Sequence, residues 1–378
     1  MTRVVGVTWG DPWSIRTYSG YPWQIFAELD RCGDLVDRAD AAAVRLSDAF
    51  TGFLDLPRSL RAGRPRESSL WRYFPETISR MTTRFRASQA DLAEHDVTLQ
   101  FGVAGVPDGP LVAHVEIPVE MAVSNPVFAS SYGFSGFSGG DVRRAVSGER
   151  EFLDRCHLVW TNTAFTAAAL EAQGVAPDRL RVLPPVPALA DPGPISRDWS
   201  ELHILFIGKD WVGKGGPLLL DAFEVVREHR PAATLTVVGC SPRVRRPGVE
   251  ILGFLRKDRP EDAAALQRVL RRSTVFCMPS YWESVGIVYM EAALYGLPLV
   301  MLAGQGREEL FPPEVAHVLG EPDVEALAGC LLEMATDPDG MRAMGGRGRA
   351  HVAQNYSMPQ LVRGVREMLA EAESLTAR

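Results

Sequence analysis

Apolar positions along the chain recur in two rhythms, short runs of strand length and longer stretches with helical spacing, and the two alternate from one end to the other. VVGVTW at residues 4–9 predicts an opening strand, and WQIFAELDRCG predicts a helix closed by Gly33. VTLQFGV and PLVAHVEIP read as buried strands. EREFLDRCHLVWTNTAFTAAALEAQGV gives helix, strand, tight turn and helix, and RLRVLPPVP closes this half with a short strand. The proline-rich PPVPALADPGPISRDWS that follows can neither pair regularly in a sheet nor continue a helix. Beyond it the alternation restarts with LHILFIG, a helix around Leu218 to Glu228, and three more apolar runs, ATLTVVGC, VEILGFL and TVFCMPS. The pattern predicts an α/β protein of two doubly wound domains joined by a hinge. Their expected bounds are 1–185 and 201–356, with 186–200 as linker and an amphipathic helix, LVRGVREMLAEAESL, within 357–378.

Composition narrows this picture. At 378 residues the chain exceeds what one core usually serves, in keeping with two domains. A formal net charge of -7 gives no global electrostatic case for nucleic acid. One stretch departs from that balance: Arg58, Arg61, Arg64, Arg66, Arg72, Arg80, Arg84 and Arg86 face only Glu67 and Glu76 within their span. Such a run is ordinarily a solvated helix face and loop; at most it predicts an anionic acceptor or peripheral membrane contact through 58–86. The five cysteines show no CxxC spacing, so neither a zinc ribbon nor a disulfide framework is indicated. The first residues lack a signal-peptide pattern, and no run approaches the ~18–20 apolar residues that span a bilayer. A cytoplasmic location is the expectation.

The stretch LHILFIGKDWVGKGGPLLLDAF begins like a phosphate-binding loop. A β-rich run meets Gly208, and Gly213 and Lys214 fall at the Walker spacing. The next position should carry the hydroxyl that holds magnesium, but it is Gly215. Neither ATLTVVGC nor TVFCMPS ends in the aspartate a nucleotide hydrolase also needs. Downstream, PSYWESVGIVYMEAALYGLPLV predicts a strand, a loop with Glu283, and a helix from about Gly286 to Tyr295. That helix is apolar nearly all round, so it should be buried, and Glu291 inside it needs hydrogen-bond donors. Neighbouring backbone, an arginine from elsewhere in the chain, or the hydroxyl groups of a ligand could each supply them.

Glu283 and Glu291 with Gly286 between them, followed by EAALYGLPLV and preceded by FIGKDWVGKGGPLLLDAF, resemble the retaining glycosyltransferases of family 4 and their EX7E motif. LTVVGC, VEILGFL and TNTAFTAAALEAQGVAPDRLRVLPP extend the resemblance, which is strong from about residue 150 to 356 and thinner before. It implies a GT-B fold: two Rossmann-like domains facing a cleft, with the C-terminal helix crossing back to the N-terminal, acceptor-binding domain. It implies a nucleoside-diphosphate sugar as donor, a hydroxyl-bearing small molecule or saccharide as acceptor, and no cofactor or metal. Lys209 and Lys214 match the positions that grip the diphosphate, Glu291 the ribose-binding carboxylate, and Glu283 the acid beside the donor sugar. The amides of Ser284, Val285, Gly286 and Ile287 would face sugar and phosphates. Many relatives carry Phe where this chain has Val285, which leaves the sugar open. Gly253, Phe254 and Leu255 would line the base pocket. In the first half, RTYSGYPWQIFAEL resembles the family's glycine loop, placing Ser19 and Gly20 near phosphates or acceptor. His114, with Glu116 two residues on, is the candidate for the histidine beside the reacting sugar, and Arg143 and Arg144 could meet an acceptor.

Other readings make different demands. A GT-B epimerase or phosphorylase shares the fold; a phosphorylase would show phosphate-dependent turnover. A sugar-nucleotide-binding protein without catalysis should have lost Glu283 or a lysine, and all are present. A dinucleotide-dependent oxidoreductase wants GxGxxG after the first strand, which VTWGDPWSIRTYSG does not supply.

Overall fold

The computed structural model describes residues 1–14, 17–41, 70–131 and 134–376. Arg58, Arg61, Arg64 and Arg66 of the arginine-rich run lie outside the described residues. The chain divides into two compact units, one of Met1–Pro185 with Met358–Arg378 and the other of Val186–Ser357.

Unit 1 is built on a parallel sheet of strands β1 (Val4–Thr8), β2 (Leu35–Asp40), β3 (Val97–Phe101), β4 (Leu111–His114), β5 (Leu158–Thr161) and β6 (Leu180–Val182). Their spatial order is β2-β1-β3-β4-β5-β6. The inner strands are buried on both faces, which is why they read as continuous apolar runs. Edge strand β2, LVDRAD, is only half-buried and polar, and the apolar pattern gives no sign of it. Helix α1 (Tyr21–Arg31) packs Phe26 over Gly6, where a Cβ would meet the ring at 2.6 Å. Helix α2 (Pro75–Ser88) buries Thr77, Ile78, Met81 and Phe85 and carries Arg80, Arg84 and Arg86. Helix α3 (Gly139–Leu153) opens with a capping box between Ser138 and Asp141, and α4 (Ala164–Ala172) is capped by Thr163. The C-terminal helix Met358–Thr376 packs on β3, β4 and α1. It buries Val365, Leu369 and Ala372 and is tied down by ion pairs Arg366–Asp34 at 2.6 Å and Arg181–Glu371.

Unit 2 repeats the plan with β7 (His203–Ile207), β8 (Thr234–Val238), β9 (Val249–Gly253), β10 (Val275–Cys277), β11 (Leu299–Leu302) and β12 (Ala316–Leu319), in the order β12-β11-β10-β7-β8-β9, again all parallel. Helices α5 (Gly216–His229), α6 (Pro260–Arg272), α7 (Ile287–Leu294), α8 (Val324–Thr336) and α9 (Pro338–Asn355) complete it. The order reverses between β7 and β10, and in such sheets the crevice outside the strand carboxyl ends at that point receives ligands.

The proline-rich segment 186–200, read from sequence as a linker, folds against unit 2. Trp199 is buried in the core, and the Arg197 guanidinium lies 5.0 Å from its ring. Arg197 also donates to four main-chain carbonyls: Leu270 at 3.0 Å, Arg271 at 3.2 Å, Tyr295 at 2.9 Å and Gly296 at 3.0 Å. These are helix-end carbonyls that α6 and α7 cannot satisfy internally. Replacing Arg197 by Met should therefore cost about 2–3 kcal/mol, from the carbonyls left without a donor. Urea unfolding would measure it, and an unchanged midpoint would mean that this strap adds nothing.

Candidate functional site

The loop after β7 turns tightly. The Asp210 carboxylate accepts from the Gly213 amide at 3.1 Å, and the Lys214 amide donates to the Asp210 carbonyl at 3.0 Å. Gly215 then adopts a φ of 74°, which non-glycine residues rarely take, and a Cβ there would fall 1.9 Å from the Pro279 carbonyl oxygen. The missing Walker hydroxyl thus has a steric cause, since no side chain fits where this loop meets the loop after β10.

That second loop is pinned from several directions. The Tyr281 amide donates to the Gly213 carbonyl at 3.2 Å, and the Tyr289 hydroxyl donates to the Met278 carbonyl at 2.5 Å. Arg307, fully buried, donates to the carbonyls of Ser280 at 3.0 Å, Ala303 at 3.0 Å and Gly304 at 2.9 Å. Gly286 sits at φ 71°, where a Cβ would meet the Tyr289 ring at 2.6 Å. Helices α5 and α7 therefore both begin on left-handed glycines, and neither has a side-chain cap. At α5 the Gly216 amide already donates to the Trp211 carbonyl at 2.8 Å and Pro217 carries no N–H, so the helix end open to an anion is chiefly that of α7.

Charged side chains converge on this frame. Lys214 pairs with Glu283, and its ammonium also donates to the Trp282 carbonyl at 3.3 Å. Glu291 is 1 % exposed, and the cation it needs comes from Lys257, in the loop after β9. Lys209 is exposed overall, with its ammonium 5.5 Å from the Phe254 ring centre. Desolvation of that ammonium and the neighbouring Lys257 charge hold its pKa below the ordinary lysine value. All three lysines of the chain thus gather at the carboxyl ends of the strands of unit 2. Of the other residues named from sequence, Ser284, Val285 and Gly286 are buried, Ile287 opens α7, Gly253 ends β9, and Leu255 packs against the core.

Ser19, Gly20 and His114 belong to unit 1. Gly20, at φ 88°, starts α1; the side chain of Ser19 lies outside the described residues. His114 ends β4 and is buried among Tyr21, Phe101 and Trp160, with ring centres 5.5, 5.0 and 4.7 Å away. Its Nε2 lies 3.1 Å from the Asn162 side-chain oxygen. Because the strand stops at His114, alternation does not carry to Glu116. Burial lowers the ring's pKa to about 4, partly offset by the Asn162 bond, so at neutral pH the ring carries no charge. Arg144 pairs with Glu76 on α2.

Two contributors escaped sequence reasoning. Lys257 lies far from Glu291 along the chain, and its signal was rarity, as one of only three lysines among forty basic residues. Arg307 sits in GREEL with no motif around it, and only its burial marks it as the residue that fixes the Ser280 loop. Among the described residues no cluster of His, Cys, Asp or Glu could hold a metal ion.

Comparison with known proteins places this geometry. Residues 201–337 match the family model for glycosyl transferases group 1. The chain is 31% identical over 157 residues to a GDP-mannose-dependent monoacylated alpha-(1-6)-phosphatidylinositol monomannoside mannosyltransferase of Corynebacterium glutamicum, covering 38% of this chain and 40% of the relative. It is 28% identical over 263 residues to D-inositol 3-phosphate glycosyltransferase of Salinispora tropica, covering 61% and 54%. The match thus spans about half the length of these curated relatives. Among solved structures, sucrose-phosphate synthase from Thermosynechococcus elongatus aligns with TM-score 0.66 at 16% identity, over 99% of this chain and 100% of that one. WaaG, a glycosyltransferase involved in lipopolysaccharide biosynthesis, aligns with TM-score 0.64 at 16% identity, over 97% and 99%. These likenesses show the fold, two Rossmann-like units of the GT-B class.

Two outcomes follow from the geometry. Lys257→Met should lower stability by about 1–3 kcal/mol, below the cost for a fully enclosed pair because the ammonium keeps solvent contact. Adding Glu291→Gln should restore part of the loss, and strictly additive effects in the double-mutant cycle would show that the pair is not coupled. For His114, the unfolded ring takes a proton as pH falls through about 6.5, whereas the folded ring resists until about 4. Its stabilisation is complete above the unfolded value and is lost on acidification between the two. His114→Phe should flatten that limb of the stability–pH profile; an identical limb in the variant would refute a buried neutral ring.

Proposed function

We propose that this chain is a glycosyltransferase that moves a sugar from a nucleoside-diphosphate donor to a hydroxyl of a small-molecule or saccharide acceptor, without a metal and with retention at the anomeric carbon. The observation that carries the reading is the gathering of all three lysines beside two uncapped helix N-termini at the switch point of unit 2. The match of residues 201–337 to glycosyl transferases group 1, and the names of the curated relatives, support it.

In this reading the diphosphate lies over the starts of α5 and α7. Lys214 turns from Glu283 to the phosphate oxygens, Lys209 joins it from the other side of the loop, and the amides of residues 284–287 complete the cradle. At ~4 Å and an effective dielectric of ~20, each ammonium–phosphate attraction reaches ~4 kcal/mol before desolvation. Negative charge grows on the diphosphate as the glycosidic bond breaks, so part of that attraction appears only in the transition state. Glu283, released by Lys214, accepts from donor-sugar hydroxyls and stabilises positive charge near the anomeric carbon. Glu291 accepts from the ribose diol while Lys257 holds the carboxylate in place. Retention is explained by a leaving phosphate that helps deprotonate an acceptor hydroxyl attacking on the same face, so no protein nucleophile is assigned.

Calorimetry with UDP, GDP and ADP in EDTA tests the reading. One of them should bind without added metal, and Lys214→Ala should weaken it at least tenfold, because a charge-assisted contact is removed. A requirement for magnesium, or equal binding by the variant, would overturn the assignment.

A further inference from the structure

Three consecutive residues after β11, Gly304, Gln305 and Gly306, carry positive φ, of 117°, 58° and 75°. Glycine takes such values freely, whereas in Gln305 the Cβ crowds the following carbonyl. Among the described residues only Tyr18 shares this feature outside glycine. A glutamine between two glycines, in a conformation that a third glycine would adopt without strain, is a costly choice unless its side chain is used.

Arg307 orients that side chain. Its guanidinium donates to the Gln305 Oε1 at 3.2 Å, and because arginine has donors only, the carboxamide oxygen must be the atom that faces it. The Nε2 amide is therefore turned away from Arg307. It has no partner among the described residues, and Gln305 is only half-buried, so its two N–H groups are left to solvent. The loop itself is held, since the Glu308 carboxylate accepts from the Gly304 amide at 2.6 Å.

The same arginine ties Gln305 to the loop of Glu283. It reaches the Ser280 carbonyl at 3.0 Å, at the head of that loop, and its charge and that of Glu283 are both felt at the Tyr289 hydroxyl. Glu283 also lies close to the Tyr289 ring: a Cβ on Gly286 would stand 2.6 Å from the ring and 2.9 Å from the Glu283 Cγ. The Glu283 carboxylate and the Gln305 carboxamide are thus joined through Tyr289 and Arg307, across the ends of the paired strands β10 and β11. Their chemistry is complementary. A carboxylate accepts, an amide N–H donates, and a sugar hydroxyl does both.

We propose that Gln305 contacts the transferred sugar of the donor and discriminates among sugars, with Arg307 as its positioning residue. The inference rests on the nucleotide-sugar reading of unit 2 and deepens it: a hydroxyl of the ring gives its proton to Glu283 or receives one from Gln305. A sugar that offers no oxygen to the Gln305 N–H leaves that donor unmatched once water is excluded, which is the basis of the discrimination.

Calorimetry on the full chain in EDTA compares each nucleoside diphosphate with its sugar nucleotide: UDP with UDP-glucose, GDP with GDP-mannose, and ADP with ADP-glucose. The ratio of the two affinities isolates what the sugar contributes. Gln305→Glu keeps an oxygen on Arg307 and removes the donors, and the ratio should fall about fivefold, as for loss of one hydrogen bond. Gln305→Gly relieves the strained φ; it should lower the ratio equally, leave binding of the diphosphate itself unchanged, and not lower the urea midpoint. A ratio unchanged in both variants overturns the inference while the donor reading stands. A ratio kept by Gln305→Glu but lost in Gln305→Gly overturns it as well, since the side chain then only braces Arg307. Failure of the unmodified chain to bind any of the three diphosphates removes the donor reading and this inference together.

Discussion

The approach of Gly215 to the Pro279 carbonyl is the constraint around which unit 2 is arranged. Two loops that leave neighbouring strands, β7 and β10, come closer than any Cβ would permit. Because they touch, Lys214 reaches Glu283, and the first turns of α5 and α7 open beside one another. Arg307 ties the second loop, through the Ser280 carbonyl, to the carbonyls of Ala303 and Gly304 after β11, and Tyr289 anchors the strand end below it. The same closeness excludes a Walker-type hydroxyl. A sequence that looks like an interrupted nucleotide-hydrolase loop is in fact an intact loop of a different kind, with the glycine required by its neighbour.

Charge follows from that frame. A buried carboxylate without a partner is costly, and Glu291 is the more enclosed of the site's two glutamates. Lys257 neutralises it from the loop after β9, whose Phe254 faces Lys209 of the loop after β7, and Lys214 does the same for Glu283. Beside these two pairs stand Lys209 and the uncapped first turn of α7. Such a balance favours a doubly charged group with hydroxyls close to it over a simple anion, because hydroxyls can take over the carboxylate contacts that the lysines give up.

Much of this was legible in the sequence, and the failures have physical reasons. The buried strands announced themselves as apolar runs because parallel sheets cover both faces, whereas β2 and β12, half-exposed at the edges of their sheets, did not. Helix α7 and its glycine start were readable from apolar content and punctuation. The ion pair of Glu291 was not, since periodicity reports which face a residue takes and says nothing of a partner brought in by another strand. The segment 186–200 misled for a related reason. Prolines correctly forbid helix and sheet, but they do not forbid docking, and Arg197 with Trp199 supplies the contacts that fix the segment to unit 2. Arg307 was invisible for want of any spacing rule, since its significance lies wholly in the carbonyls it reaches.

The two units differ in strand order, one strand lying outside the first in unit 1 and two in unit 2, yet both leave a crevice where the order reverses. In each, the chain builds outward from a first strand, returns to its other side, and so leaves a crevice at the carboxyl ends, between β1 and β3 in one and β7 and β10 in the other. Unit 2 closes its crevice with glycines, so backbone comes forward and amides and lysines form the lining. Unit 1 widens the space beside its crevice with alanines, so side chains form the lining, two indoles and two guanidinium groups. Backbone amides recognise charge without regard to what carries it, whereas a shaped aromatic wall discriminates between rings. Glycine at the strand ends of one unit, and alanine with tryptophan at those of the other, therefore give the two crevices linings of different kinds.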